Sequence, residues 1–146
     1  MSRENIEVVR DFYASLDTWL ASLSSGPAVP LEQTPGVDEL FDHLDPQAEW
    51  DWVFSPETFR GREQLLQAVA DYLETVGEWR VDVEELVDGT GDRVLAMSRV
   101  VARGKGSGAP VLQPIFTVFT VRNGKVARIE DHTERSEALE AAGLSE

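Results

Sequence analysis

Apolar side chains at Ile6, Val9, Phe12, Tyr13, Leu16, Trp19, Leu20 and Leu23 return every three or four positions, the spacing that gives a helix one apolar face. Ser2 stands where a hydroxyl would cap the start, so residues 3–23 are predicted as an amphipathic helix. The stretch SSGPAVPLEQTPG (24–36) carries three prolines and two glycines, which interrupt helix and strand alike, and is predicted as a loop or flap. VDELFDHL follows as a short second helix and AEWDWVF alternates as a strand. GREQLLQAVADYLETV forms a third helix with Leu65, Leu66, Val69, Tyr72, Leu73 and Val76 on one face and Gly77 at its end.

From Trp79 the period changes from helical to twofold. Trp79, Val81, Val83, Glu85 and Val87 alternate with Arg80, Asp82, Glu84, Leu86 and Asp88, as in a strand with one wet face. DGTGD joins it to RVLAMSRVVAR, GKGSGAP joins that to VLQPIFTVFTV, and the Asn-Gly of RNGK predicts a two-residue hairpin into VARIEDHT. The four strands are expected to pair as an antiparallel meander. Thr133 is placed to cap a last short helix through Ala142, closed by Gly143 with Leu144 against Leu139. Helices first and a long antiparallel sheet afterwards predict an α+β fold, a curled sheet over three helices enclosing a pocket, in a single domain over residues 1–146. The segment PIFTVFTV is apolar on both faces, which predicts a homodimer built on the outer face of the sheet.

Charge narrows the partners. The chain has 146 residues, 27 acidic against 13 basic, and a formal charge of −14, a surface that repels nucleic-acid backbones and anionic lipid alike. Without cysteine there is no thiol nucleophile and no cysteine metal site. No apolar run is long enough to span a membrane, and the charged start MSRENIEVVRDF is unlike a signal peptide, so a cytoplasmic protein is expected. His43 and His132 are the only histidines and lack metal-ligand spacing, so no metal and no cofactor is expected. Nucleotide fingerprints and the GxSxG elbow are absent as well.

The order ENIEVVRDFYASL, LDPQAEWDW, FRGREQLLQAV and GKVARIEDHTERSEALEAAGL resembles the nuclear transport factor 2-like superfamily, and within it the SnoaL-like branch. The resemblance covers nearly the whole chain. It implies a cone-shaped α+β fold with a deep apolar pocket, usually in a homodimer, that serves polyketide cyclases, epoxide hydrolases, ketosteroid isomerases and proteins without catalysis. In the cyclases and limonene epoxide hydrolases, the strand after the GK hairpin ends in an acid/base aspartate, which corresponds to Asp131. Alternation agrees, because Asp131 shares a face with Ala127 and Ile129 while His132 shares one with Arg128 and Glu130. Arg99 matches the epoxide hydrolase arginine that holds the aspartate, whereas Val101 stands where their second aspartate would be. Phe116 lies near the isomerases' acidic hydrogen-bond donor, and Tyr13 matches their first-helix tyrosine.

The first strand leaves its register open: either Asp51 or the pair Trp50 and Trp52 faces the pocket, and the apolar wall favours the tryptophans. The expected site is Asp131 as general acid/base with Arg99 beside it, and Tyr13, Trp50, Trp52 and Phe116 shaping a pocket for a small apolar, carbonyl-containing molecule. A simpler alternative is that Arg99 and Asp131 only tie two strands together, or that Arg99 reaches water at the sheet edge. The functional alternative is a binding or accessory protein on the same fold.

Overall fold

The helical spacing at the start is realised as α1 (Ser2–Ser22), which buries Val9, Phe12, Trp19 and Leu20. The computed structural model describes residues 2–23, 29–53 and 55–145; the side chain of Ser2 and residues 24–28 of the expected flap lie outside this set. The part of that segment that is described is tied down. Residues Leu31–Gln33 form a 3₁₀ turn, and buried Thr34 accepts a 2.7 Å hydrogen bond from Trp19 Nε1. Gly36, with φ +90°, then opens α2 (Val37–Asp42); a Cβ there would meet Trp19 at 3.7 Å.

Six strands form one sheet in the order β2-β1-β6-β5-β4-β3. They are β1 (Leu44–Asp51), β2 (Thr58–Arg60), β3 (Val76–Asp88), β4 (Arg93–Gly104), β5 (Pro110–Arg122) and β6 (Lys125–His132), with α3 (Gly61–Leu73) between β2 and β3. The meander β3 to β6 is antiparallel as its alternation predicts. Two features are not in the sequence reading. The short edge strand β2 pairs with the end of β1, and β1 lies parallel to β6. The β1–β6 register shifts between Leu44 and Glu49, around Pro46, whose missing N–H cannot join a ladder. Gly77 does not close α3: the helix ends at Leu73, and Gly77 already belongs to β3.

The concave face of the sheet packs on α1, α2 and α3, and Phe12 meets Phe119 edge-on at 5.6 Å. The outer face carries a second, smaller core. There α4 (Arg135–Ala141) lays Ala138 and Leu139 on Leu95, Met97 and Val118, with Phe116 packed alongside. The helix closes as its sequence predicts, Gly143 at φ +77° with Leu144 N–H donating to Leu139 O at 2.8 Å and Gly143 N–H to Glu140 O at 3.0 Å. Its start differs, because Glu134 holds the N-cap position and no side chain caps it, so Thr133 does not act as the cap. Much of the apolar outer face assigned above to a second subunit is therefore covered by the chain's own last helix. Exposed Leu112, at 61%, lies on β5 near the end where that strand enters the sheet.

Candidate active site

Between the helices and the concave face lies a cavity of about 100 Å³. A single water needs roughly 10–15 Å³ of such space, so this is room for a small organic molecule. Its walls are apolar. Phe12, Tyr13 and Leu16 come from α1, Leu65 and Val69 from α3, and Ile115 and Phe119 from β5. One side is a tryptophan stack: Trp50 lies on Trp52 at 4.6 Å between ring centres, and Trp52 on Trp79 at 6.0 Å. Tyr72 sets its edge against both Trp52 and Trp79, at 4.9 and 4.7 Å. The Trp79 indole N–H is buried and has no hydrogen-bond partner among the described residues.

The first-strand register settles in favour of the tryptophans. Trp50 pairs with Ile129 and lines the cavity, whereas Asp51 pairs with Glu130 and forms an ion pair with Arg128, together with a hydrogen bond from Thr58. Glu49, Asp51 and Glu130 all meet Arg128 on that other face.

Asp131 faces the cavity. Thr117, directly across on β5, donates to Asp131 Oδ1 at 2.9 Å, while the Val53 N–H and Trp50 Nε1 make long 3.4 Å contacts to Oδ2. Burial among apolar walls pushes the carboxyl up to about 6; the hydrogen bonds from Thr117, Val53 and Trp50 and the nearby His132 pull the other way and only partly offset it. Tyr13 stands beside it. Its hydroxyl interacts with Thr117 and Ser98, and burial first, then the Asp131 charge, raise its pKa so that it stays a neutral phenol.

Strict alternation needs one amendment. Val126 and Ile129 both join the core, although they are an odd number of residues apart, because the β5–β6 register slips between Thr120 and Val121. The extra residue, Ala127, is a bulge that resets the strand and brings Asp131 inward.

Two expected site residues are elsewhere. Arg99 does not meet Asp131: its neighbours Ser98 and Val100 line the cavity, so Arg99 points to the other face, 44% exposed, where it pairs with Glu84 at 3.5 Å. Its strand partners Leu95 and Met97 are apolar because α4 covers them, which made the outer face of β4 read as a pocket face. Phe116 likewise packs in the α4 core rather than on the cavity. The expected Arg99–Asp131 pair is thus absent, whether as a catalytic or a strand-tying contact. In its place are Thr117 and Ser98, which the sequence reading missed. Their signal was available, as lone hydroxyls set between apolar residues on one strand face.

Among the described residues no group of three His, Cys, Asp or Glu is placed to hold a metal, and no helix is long and apolar enough to cross a membrane. No curated protein matches the chain. Solved structures do. A candidate SnoaL-like polyketide cyclase from a Jannaschia species superposes with a TM-score of 0.68 at 20% identity, over 100% of this chain and 96% of that one. TerC, crystallised with polyporic acid, gives 0.68 at 18% identity over 95% and 97%. A protein with a ketosteroid isomerase-like fold from Catenulispora acidiphila, in complex with trimethylamine, gives 0.63 at 19% over 95% and 94%. The ligands of the last two differ in kind, so the shared fold does not select one. The SnoaL-like domain model matches residues 31–129, from the 3₁₀ turn to the strand that carries Asp131, and the chain belongs to the SnoaL-like domain family.

Proposed function

We propose that this chain is a cofactor-independent enzyme of the polyketide cyclase or isomerase kind, in which Asp131 is the general acid/base for a small, largely apolar, carbonyl-containing substrate. One observation carries the reading: among the described residues the cavity wall holds a single carboxyl group, and burial brings it to about 6, where it both gives and takes protons near neutral pH. Tyr13 and Thr117 position it, and Trp50 and Trp52 form one side of the cavity in which a substrate lies. Epoxide opening is disfavoured, because Arg99 and Val101 do not contribute to the cavity.

The test is hydrogen exchange. A panel of small cyclic ketones in deuterated buffer should gain deuterium next to the carbonyl in the presence of the protein, and Asp131→Asn should slow this by about 10²-fold or more while ligand binding persists. Equal exchange by both proteins counts against the reading. A second reading has its own support: with Arg99 outside the cavity, no Lys, Arg or His among the described residues lines the wall beside Asp131, which fits an accessory protein that binds without turnover. Ligands that bind tightly and show no exchange favour it. We further expect a cytoplasmic homodimer formed on the part of the outer face that α4 leaves open, around Leu112; a monomer in sedimentation at micromolar concentration would remove that expectation.

A further inference from the structure

The cavity is one-sided in charge. Among the described residues Asp131 is the only acid on its wall, and no Lys, Arg or His side chain lines it. His132 is the next residue along, but its ring nitrogen lies 3.9 Å from Glu130 instead of in the cavity. The hydroxyls that would greet an anion are already engaged, since Thr117 donates to Asp131 and Tyr13 interacts with Thr117 and Ser98. The rest of the wall is aromatic and aliphatic and offers no counter-charge to an anion. The chain as a whole carries −14, a field that draws cations inward and turns anions away.

We infer that this cavity is built for positive charge: its ligand either carries an ammonium-like cation or becomes cationic in reaction, with Asp131 as counter-ion and the tryptophan rings as the surrounding wall. This rests on the proposed acid/base role and fixes the order of its steps. Asp131 in its acid form gives its proton to the carbonyl oxygen, so one O–H bond breaks as another forms. The hydroxycarbenium ion that results is paired with the carboxylate. The carboxylate then takes a proton from the adjacent carbon; the C–H electrons become the C=C bond of the enol, and the acid is restored. An enolate formed first would find no cation in the cavity to receive it.

Three probes of nearly one shape separate the possibilities: choline, its neutral carbon analogue 3,3-dimethylbutan-1-ol, and the anion 3,3-dimethylbutanoate. Binding is followed at pH 7.5 by tryptophan fluorescence, since Trp50, Trp52 and Trp79 line the cavity. Choline should bind about tenfold or more tighter than the alcohol, through its charge pairing with the Asp131 carboxylate, and the anion weakest. Contacts between the choline methyl protons and indole protons in nuclear Overhauser spectra should place it in the cavity of the unaltered protein. Asp131→Asn should bring the cation and the alcohol to within about threefold of each other. The inference is overturned if choline shows no advantage or no binding, if the anion equals the alcohol, or if the cation preference survives Asp131→Asn undiminished, which would remove Asp131 as the counter-ion. Ketone exchange that depends on Asp131 alongside an anion-preferring cavity would refute the charge assignment alone and leave the acid/base role standing.

Discussion

Asp131→Asn should make the protein more stable at neutral pH, and by an amount that depends on pH. The carboxyl is lifted from its ordinary 3.8 to about 6 by burial, so the folded chain holds this proton more tightly than the unfolded chain does. A group of this kind contributes its full stability below the unfolded value and loses it as pH rises through the folded one. At about 1.4 kcal/mol per pH unit, the carboxylate costs the fold about 3 kcal/mol above pH 7. Asparagine keeps the shape and an oxygen for the Thr117 hydroxyl, 2.9 Å away. Its amide hydrogens would face the Val53 N–H and Trp50 indole N–H, but those contacts are long, at 3.4 Å, so the clash offsets about 1 kcal/mol. Urea denaturation of both proteins from pH 4.5 to 7.5 is the assay, and the difference between them cancels the titrating groups that do not interact with Asp131. That difference should move in favour of the variant by about 2 kcal/mol across the range, for a net gain of about 2 kcal/mol at pH 7.5. A flat difference, or one moving the other way, would show that the carboxylate is welcome in its cavity and refute the account of its titration.

Arg99→Met should change stability by less than about 0.5 kcal/mol and leave the Asp131 titration midpoint in carboxyl NMR where it was, because its pairing with Glu84 is exposed. Trp19→Phe removes the 2.7 Å buried bond to Thr34 and should lower stability by about 1–3 kcal/mol in thermal unfolding. Gly143→Ala demands a left-handed alanine, φ +77°, with its Cβ 2.0 Å from Thr90 Oγ1; a loss of about 2 kcal/mol or more is expected in the same assay.

The helices and the meander were legible because each rests on local periodicity, and the terminal glycine motif because it needs only neighbours in sequence. β2 was not legible: three residues carry no period, and Thr58–Arg60 is a strand only because the end of β1 offers it a ladder. The same holds for the parallel seating of β1 on β6, which no alternation encodes. At the site, Asp131, Trp50 and Trp52 were found, although the Ala127 bulge means that simple alternation reached Asp131 by an uneven path. Phe116 was placed at the cavity by the resemblance, and Arg99 by the resemblance together with its apolar strand face. An apolar strand face announces that something covers it, and the sequence does not say whether the cover is the cavity or the last helix.

The parallel seating of β1 against β6 also sets when the protein can come into being. Trp50 and Asp131 are separated by 81 residues, and the strand that lies between β1 and β5 in the sheet is the last to be made. During synthesis β1 must wait beside an empty lane, its ladder groups open on that side, until residues 125–132 leave the ribosome. Contacts this distant along the chain make folding slow and expose unpaired strand edges while it proceeds. The cavity therefore closes only once β6 is made: a ribosome stalled between Trp79 and Lys125 carries a chain that has every tryptophan of the wall and no Asp131 to complete it.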